Sequence, residues 1–292
     1  MKLPSDFVGT TLKEYTCRIS ARRTMNYAAA IGDPSPLYFN DERPEGIIAP
    51  PLFPVAVTWP IIENIADYIE AEGFPREILL TQVHYTEHLQ IHRLVTPGGN
   101  VSIRGSIAAI VPHRAGTHVV IRFDAADAGG NPLFTEHIGA MMRGVQCADG
   151  GKGIEQIPAV PHPPEAAEAL WESIIPIDPL APFIYDGCTN IHFPIHTSVN
   201  FAHQVGLPGI IHQGTATLAL AVHNILNREA GGDPGRLVSV YCRFAGMVIP
   251  GSSIRVRLTD RHKGPDATDL FFSVLNADEK GAIRDGHIRL KG

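Results

Sequence analysis

Between residues 79 and 145 apolar side chains recur at every second position: Val83, Tyr85, Leu89 and Ile91, then Val101, Ile103 and Ile107, then Val119, Ile121 and Phe123, then Leu133 and Phe134 to Met142. A period of two belongs to half-buried strands, and the breaks at Pro97-Gly98-Gly99-Asn100, Ala115-Gly116 and Gly129-Gly130-Asn131-Pro132 supply turn chemistry. Four antiparallel strands in a meander are expected there. Ahead of them Val55, Val57, Ile61, Ile62, Ile65, Ala66 and Ile69 predict one long helix over 52–72, limited or kinked by Pro54 and Pro60. A short helix capped by Thr24 is expected over 24–30, with Gly32 ending it, and a strand over 14–20.

The same order then returns. A helical turn ends near Tyr185, an apolar helix runs over 215–229 to the stop Gly231-Gly232-Asp233-Pro234-Gly235, and strands follow over 237–244, 253–259, 269–275 and 282–290. Pro36-Leu37-Tyr38 matches Pro194-Ile195-His196, Gly46-Ile47-Ile48 matches Gly209-Ile210-Ile211, and Pro97-Gly98 matches Pro250-Gly251. The spacings, 194 − 36 = 158, 209 − 46 = 163 and 250 − 97 = 153, wander as an old duplication with loop insertions would. The chain reads as two copies of one unit, 1–150 and 171–292, with a Gly- and Pro-rich linker over 151–170. Leu218, Ala219, Leu220, Ala221 and Val222 leave their helix apolar all round, so it needs cover on nearly every side. A sheet wrapped around a central helix gives that cover, and two such α+β units joined edge to edge bury a strand edge that otherwise invites association.

Composition narrows the function. Of 292 residues 44% are hydrophobic and 18% charged, the net charge is −6, and no Lys/Arg cluster exceeds three residues, which argues against nucleic-acid and anionic-membrane partners. No apolar run approaches the roughly 18 residues of a membrane span, and the first residues lack a signal-peptide core, so a cytoplasmic protein is expected. Cys17, Cys147, Cys188 and Cys242 stand far apart, as reduced packing residues do. His84, Glu87, His88 and His92 invite a metal reading, but strand geometry separates His88 from His92 by about 13 Å, and no metal is expected.

The densest chemistry lies in 185–222. His196 sits on a Pro-Ile-His loop, and an imidazole with a pKa near 6.5 can take or give a proton at neutral pH. A helix opens soon after at Gly214, where free N–H groups and the positive dipole end suit a developing oxyanion. The loop with its Pro194 and His196 resembles the Asp-x-Asn-Pro-x-His signature of the MaoC-like dehydratases, the type 2 enoyl-CoA hydratases, in their double hot-dog form. Residues 209–214 resemble that family's Pro-Ile-x-His-Gly start of the hot-dog helix, and 243–251 its next strand and turn. Gly32-Asp33-Pro34-Ser35-Pro36-Leu37-Tyr38 and Ile48-Ala49-Pro50-Pro51 are similar to the family's N-terminal dehydratase domain.

The resemblance implies reversible addition of water to a trans-2-enoyl thioester, with coenzyme A as part of the substrate and no separate cofactor. It also implies an Asp and a His at the reacting atoms and a helix N–H on the thioester oxygen. This chain departs from the pattern. Ile191 and Phe193 occupy the signature Asp and Asn positions, while the N-terminal copy keeps Asp33 but has Tyr38 for the histidine. Candidates for the missing group are Asn190, if the loop carries a one-residue insertion, His192, Asp186, and Asp33 reaching across the pseudo-dimer. Gln213 or His212 can add a donor, and Tyr38 and Arg243, with Arg22, Arg23 and Arg143, are candidate substrate contacts. A homodimer of pseudo-dimers is expected. Competing readings keep the fold with a specialised carboxylated or polyketide-type substrate, or with a pocket that binds an acyl group without turnover.

Overall fold

The computed structural model describes residues 1–161 and 168–292. The first half runs β1 (Lys2–Leu3), β2 (Tyr15–Arg18), α1 (Ala21–Ala30), α2 (Pro36–Phe39), α3 (Phe53–Glu63), α4 (Ile65–Tyr68), β3 (Gln82–Ile91), β4 (Asn100–His113), β5 (Gly116–Asp127), β6 (Pro132–Arg143) and β7 (Gln146–Cys147). The second runs β8 (Trp171–Pro176), α5 (Ala181–Thr189), α6 (Val199–Gln204), α7 (Gly214–Glu229), β9 (Leu237–Phe244), β10 (Ser253–Lys263), β11 (Ala267–Leu275) and β12 (Gly281–Lys291). Ten strands form one antiparallel sheet in the order β2-β4-β5-β6-β3-β9-β12-β11-β10-β8. Read outward from its centre, each half repeats the other. The halves meet along β3 and β9, from Thr86 opposite Arg243 to Gln90 opposite Ser239, so neither sheet leaves that edge open. This is the double hot-dog.

Thr215 to Ala219, Ala221, Val222, Ile225 and Leu226 are buried along α7, and Phe53 to Thr58 and Ile61 along α3. Both helices are thus covered on most sides, as the apolar run of the second predicts. The first helices of the halves pair on the pseudo-twofold: Tyr27 of α1 and Tyr185 of α5 are fully buried, with hydroxyl oxygens 3.4 Å apart. Their spacing, 185 − 27 = 158, equals that of the two Pro-x-x loops.

Several expectations are corrected. The long helix over 52–72 stops at Asn64, and Ile69 instead bridges Leu12. Pro60 stays inside α3; it has no N–H for the Ala56 carbonyl, and the Arg23 guanidinium donates there at 3.2 Å while lying over the Phe53 ring. Arg23 is therefore committed to the fold. Ser20, not Thr24, caps α1, because the Ser20 hydroxyl accepts from the Arg23 N–H whereas Thr24 is buried inside the helix. Each half has a fifth strand, and β8 was not anticipated. The expected linker is partly packed: Lys152 bridges Ile110, and at Gly153, with φ +83°, an added Cβ would sit 2.1 Å from the Ala108 carbonyl oxygen. Linker residues 162–167 lie outside the described residues.

Candidate active site

Helix α5 ends one residue before the loop that matters. The Thr189 hydroxyl donates to the Tyr185 carbonyl and accepts from the Ile191 N–H, and Asn190 turns the chain in the left-handed region at φ 59°. Asn190 is thereby the helix cap, with its side chain exposed. Ile191, in the signature carboxylate position, is 2% exposed and belongs to the hydrophobic core. His192 turns outward and its Nδ1–H donates to Asp186 Oδ1 at 3.0 Å. Its backbone carbonyl accepts from the Trp59 indole of α3, which pins the loop to the other half.

Pro194–His196 form a 3-10 turn in which His196 is half-buried. Its Nδ1 lies 2.8 Å from the Ile211 carbonyl oxygen. A carbonyl only accepts, so Nδ1 carries the hydrogen and Nε2 keeps its lone pair. Burial holds this imidazole below its ordinary pKa, against the opposing pull of the Ile211 carbonyl and Asp186. At neutral pH it is an uncharged base. His212 follows, 4% exposed, with neither ring nitrogen partnered among the described residues. Burial and the neighbouring His196 push its pKa down to about 4.

Ile211 also leads directly into α7. Gln213 is its N-cap residue but makes no side-chain cap; its Nε2 donates to the Pro182 carbonyl at 2.9 Å and its Oε1 is buried without a partner among the described residues. The first-turn N–H groups of α7 therefore receive no cap from its own N-cap side chain. A Cβ on Gly214 would lie 3.0 Å from Phe244 Cδ1, so the helix start is pressed against β9. One hydrogen bond, His196 to Ile211, thus ties a neutral base to a segment that opens a helix three residues later.

Arg243 is not brought to this group. Cys242 and Phe244 face the helices and Arg243 alternates to the opposite face, where its Nε donates to Asp285 at 2.7 Å. Asp33 and Tyr38 form a separate place. Asp33 Oδ1 accepts from the Ser35 N–H, and Asp33 Oδ2 lies 2.7 Å from Nδ1 of His223, a residue of α7 in the other half. Tyr38 is 3% exposed beside them. His223 could not be found from sequence, because its partner is 223 − 33 = 190 residues away.

Sequence reasoning took His84 and Glu87 only as metal candidates and missed that they join Glu136 in a buried polar cluster reaching Thr58 of α3. A bulge between His84 and Thr86 turns the His84 ring toward Glu87, 3.1 Å away, and onto the Phe244 ring. The Glu87 carboxyl meets that of Glu136 on β6, and both residues are fully buried. Burial pushes Glu87 up to about 8, Glu136 upward with the added charge of Glu87, and His84 down to about 4. At neutral pH the contact is between a protonated acid and a neutral imidazole rather than an ion pair.

The MaoC like domain family matches residues 172–269, and the FAS1-like dehydratase domain region matches residues 6–136. The chain is 41% identical over 108 residues to fatty acid synthase subunit beta of Aspergillus oryzae, covering 35% of this chain and 5% of that one. It is 23% identical to the probable enoyl-CoA hydratase 2 of Dictyostelium discoideum, covering 77% of this chain and 74% of that one. The structure superposes on the MaoC-like dehydratase from Phytophthora capsici with a TM-score of 0.83 at 20% identity, covering 97% of both chains. The second half thus matches the MaoC like domain, the first half the FAS1-like dehydratase domain region, and the fold is the double hot-dog shared with MaoC-like dehydratases.

Proposed function

We propose that this chain is a hydro-lyase that interconverts a trans-2-enoyl thioester and a 3-hydroxyacyl thioester, with coenzyme A as the thiol. The hydrogen bond from His196 to the Ile211 carbonyl carries the reading, since it fixes the tautomer that leaves Nε2 basic beside the start of α7. In hydration, Nε2 takes a proton from water as the water oxygen bonds to C3. The electron pair of the double bond moves onto the thioester oxygen, which the Gly214 N–H holds, and the proton is returned to C2 as the carbonyl re-forms. The Asp186 carboxylate, whose charge acts on His196, takes the place of the absent signature carboxylate in orienting water, held from its other side by the outward-turned His192. The name of the Dictyostelium relative agrees with this reaction class.

Hydration of crotonyl-CoA, followed by loss of the enoyl absorbance, tests the proposal. His196→Ala should lose about 10²–10⁴-fold in kcat, the range a positioned proton-transfer group supplies. Equal rates in the two proteins would remove His196 from the reaction. Ile191 in the carboxylate position favours one second reading, a specialised carboxylated or polyketide-type substrate, signalled by its turnover with none of crotonyl-CoA. A cytoplasmic homodimer belongs to the same proposal, and sedimentation velocity and cell fractionation check it.

A further inference from the structure

Ile211, His212 and Gln213, the three residues that lead into Gly214, are each tied to a different segment of the second half. The Ile211 carbonyl accepts from His196, the His212 N–H donates to the Val248 carbonyl at 2.8 Å, and Gln213 Nε2 donates to the Pro182 carbonyl. Every one of those segments exposes large apolar side chains: Leu180, Phe183 and Ile184 at the start of α5, Phe193 and Val199 from the loop into α6, and Met247 and Ile249 beside Val248, all between 39% and 60% exposed. The Phe193 ring lies 6.5 Å from the His196 ring and 6.4 Å from that of Phe201, so this apolar rim extends to the base itself. The fold does not require it. At the spacing of 158 shared by Tyr27 with Tyr185 and by Pro36 with Pro194, the first half has Arg22, Met25, Asn26, Ser35 and Asp41 where the second has Leu180, Phe183, Ile184, Phe193 and Val199. The copy that keeps the histidine is the one that exposes apolar side chains. Charge decides which part of a thioester they suit. Residues 153–227 contain neither Lys nor Arg and residues 244–254 carry no charged side chain, so these segments offer no guanidinium or ammonium to a nucleotide's phosphates and a broad apolar surface to a hydrocarbon chain.

We propose that this rim selects the acyl chain and makes the site one for long-chain thioesters. The inference rests on the reaction assigned above, in which His196 and the start of α7 receive the thioester head; the chain then runs outward over α5, the 193–199 segment and the 247–249 turn and covers their exposed side chains. Full burial of one methylene gives about fourfold in affinity, so the eight methylenes that a dodecanoyl chain adds to a butyryl chain, half-covered on an open rim, give about 10²-fold.

Isothermal titration with butyryl-CoA and dodecanoyl-CoA, saturated thioesters that cannot be hydrated, separates chain binding from turnover. Wild type should bind dodecanoyl-CoA about 10²-fold more tightly than butyryl-CoA. Ile184→Ser combined with Ile249→Ser should shrink that advantage about tenfold or more, whereas Leu80→Ser, at an exposed leucine of the first half, should leave it whole. If the double variant lowers the thermal midpoint, Phe183→Ser combined with Met247→Ser makes the same comparison at neighbouring exposed positions. Equal affinities of the wild type for the two thioesters, or an advantage that survives a folded double variant, overturn the inference. A wild type that sediments as a dimer, beside a monomeric double variant that keeps the advantage, gives the rim to a second copy of this chain and overturns it as well. Turnover is read apart from binding. A wild type that binds dodecanoyl-CoA through the rim but hydrates neither crotonyl-CoA nor trans-2-dodecenoyl-CoA counts against the reaction alone, and one that hydrates both with no chain-length advantage counts against the rim alone.

Discussion

Replacing Glu87 by glutamine isolates the buried carboxyl of β3. Glu87 is fully buried, and burial raises it to about 8 from an ordinary value of 4.5. Between those pH values the folded chain keeps the proton and the unfolded chain has released it, so stability is present at low pH and is lost as pH rises through the folded pKa. A fully displaced proton changes stability by about 1.4 kcal/mol per pH unit, and with Glu87 part-titrated the step from pH 7 to 8 costs about 1 kcal/mol. The buried histidines act in the opposite sense. His84, His88, His118, His137 and His212 are held to about 4 by burial, so their stabilisation is present above the unfolded pKa of 6.5 and is lost as pH falls. Between pH 7 and 8 the carboxyls therefore set the slope. Urea unfolding followed by the fluorescence of Trp59 and Trp171 should show wild-type stability falling across that interval. Glu87→Gln, which keeps shape, should flatten the fall, and adding Glu136→Gln should flatten it further. Parallel wild-type and Glu87→Gln curves, or stability that rises with pH, would refute the protonated-pair argument.

Three substitutions test other parts of the structure. Gly214→Pro removes the proposed oxyanion donor at a helix position where proline is tolerated, and should lower kcat about 10²–10³-fold, with Gly214→Ala as control for the Cβ beside Phe244; steady-state kinetics decide. Ile191→Asp restores the signature residue in a fully apolar place and should lower stability by roughly 3 kcal/mol or more, read by urea denaturation, through an unpaired buried carboxylate. Arg23→Leu leaves the Ala56 carbonyl without its donor and should lower stability by about 1–2 kcal/mol with KM for crotonyl-CoA unchanged; a raised KM would return Arg23 to the coenzyme A site.

Local signals carried much of the architecture. The period-two runs and Gly/Pro turns marked the four meander strands of the first half, and the apolar run after Gly214 marked a helix with cover on nearly all sides, because side-chain periodicity and turn chemistry are written in neighbouring residues. The repeated Pro-x-x loops and Gly-Ile-Ile segments made the duplication readable. The loop placed His196 near a helix start, and the empty carboxylate position at Ile191 was visible by counting. Less regular pieces escaped. β8 went unseen as a strand, and Pro60 stayed inside its helix because a distant Arg23 satisfied the carbonyl that proline leaves open.

What tertiary structure alone decided is where polar groups meet. The outward turn of Arg243 depends on strand phase beside a seam, and the His84–Glu87 contact depends on a one-residue bulge that shifts the facing of side chains. Tyr27 with Tyr185, Glu87 with Glu136 and Asp33 with His223 join residues 158, 49 and 190 positions apart, since 185 − 27 = 158, 136 − 87 = 49 and 223 − 33 = 190. Sequence pattern encodes which face of an element is apolar; it does not encode which element of the other half that face will meet. Asp33 therefore read as the remnant of a lost dyad in sequence, and became one half of an Asp–His pair only when α7 packed against its loop.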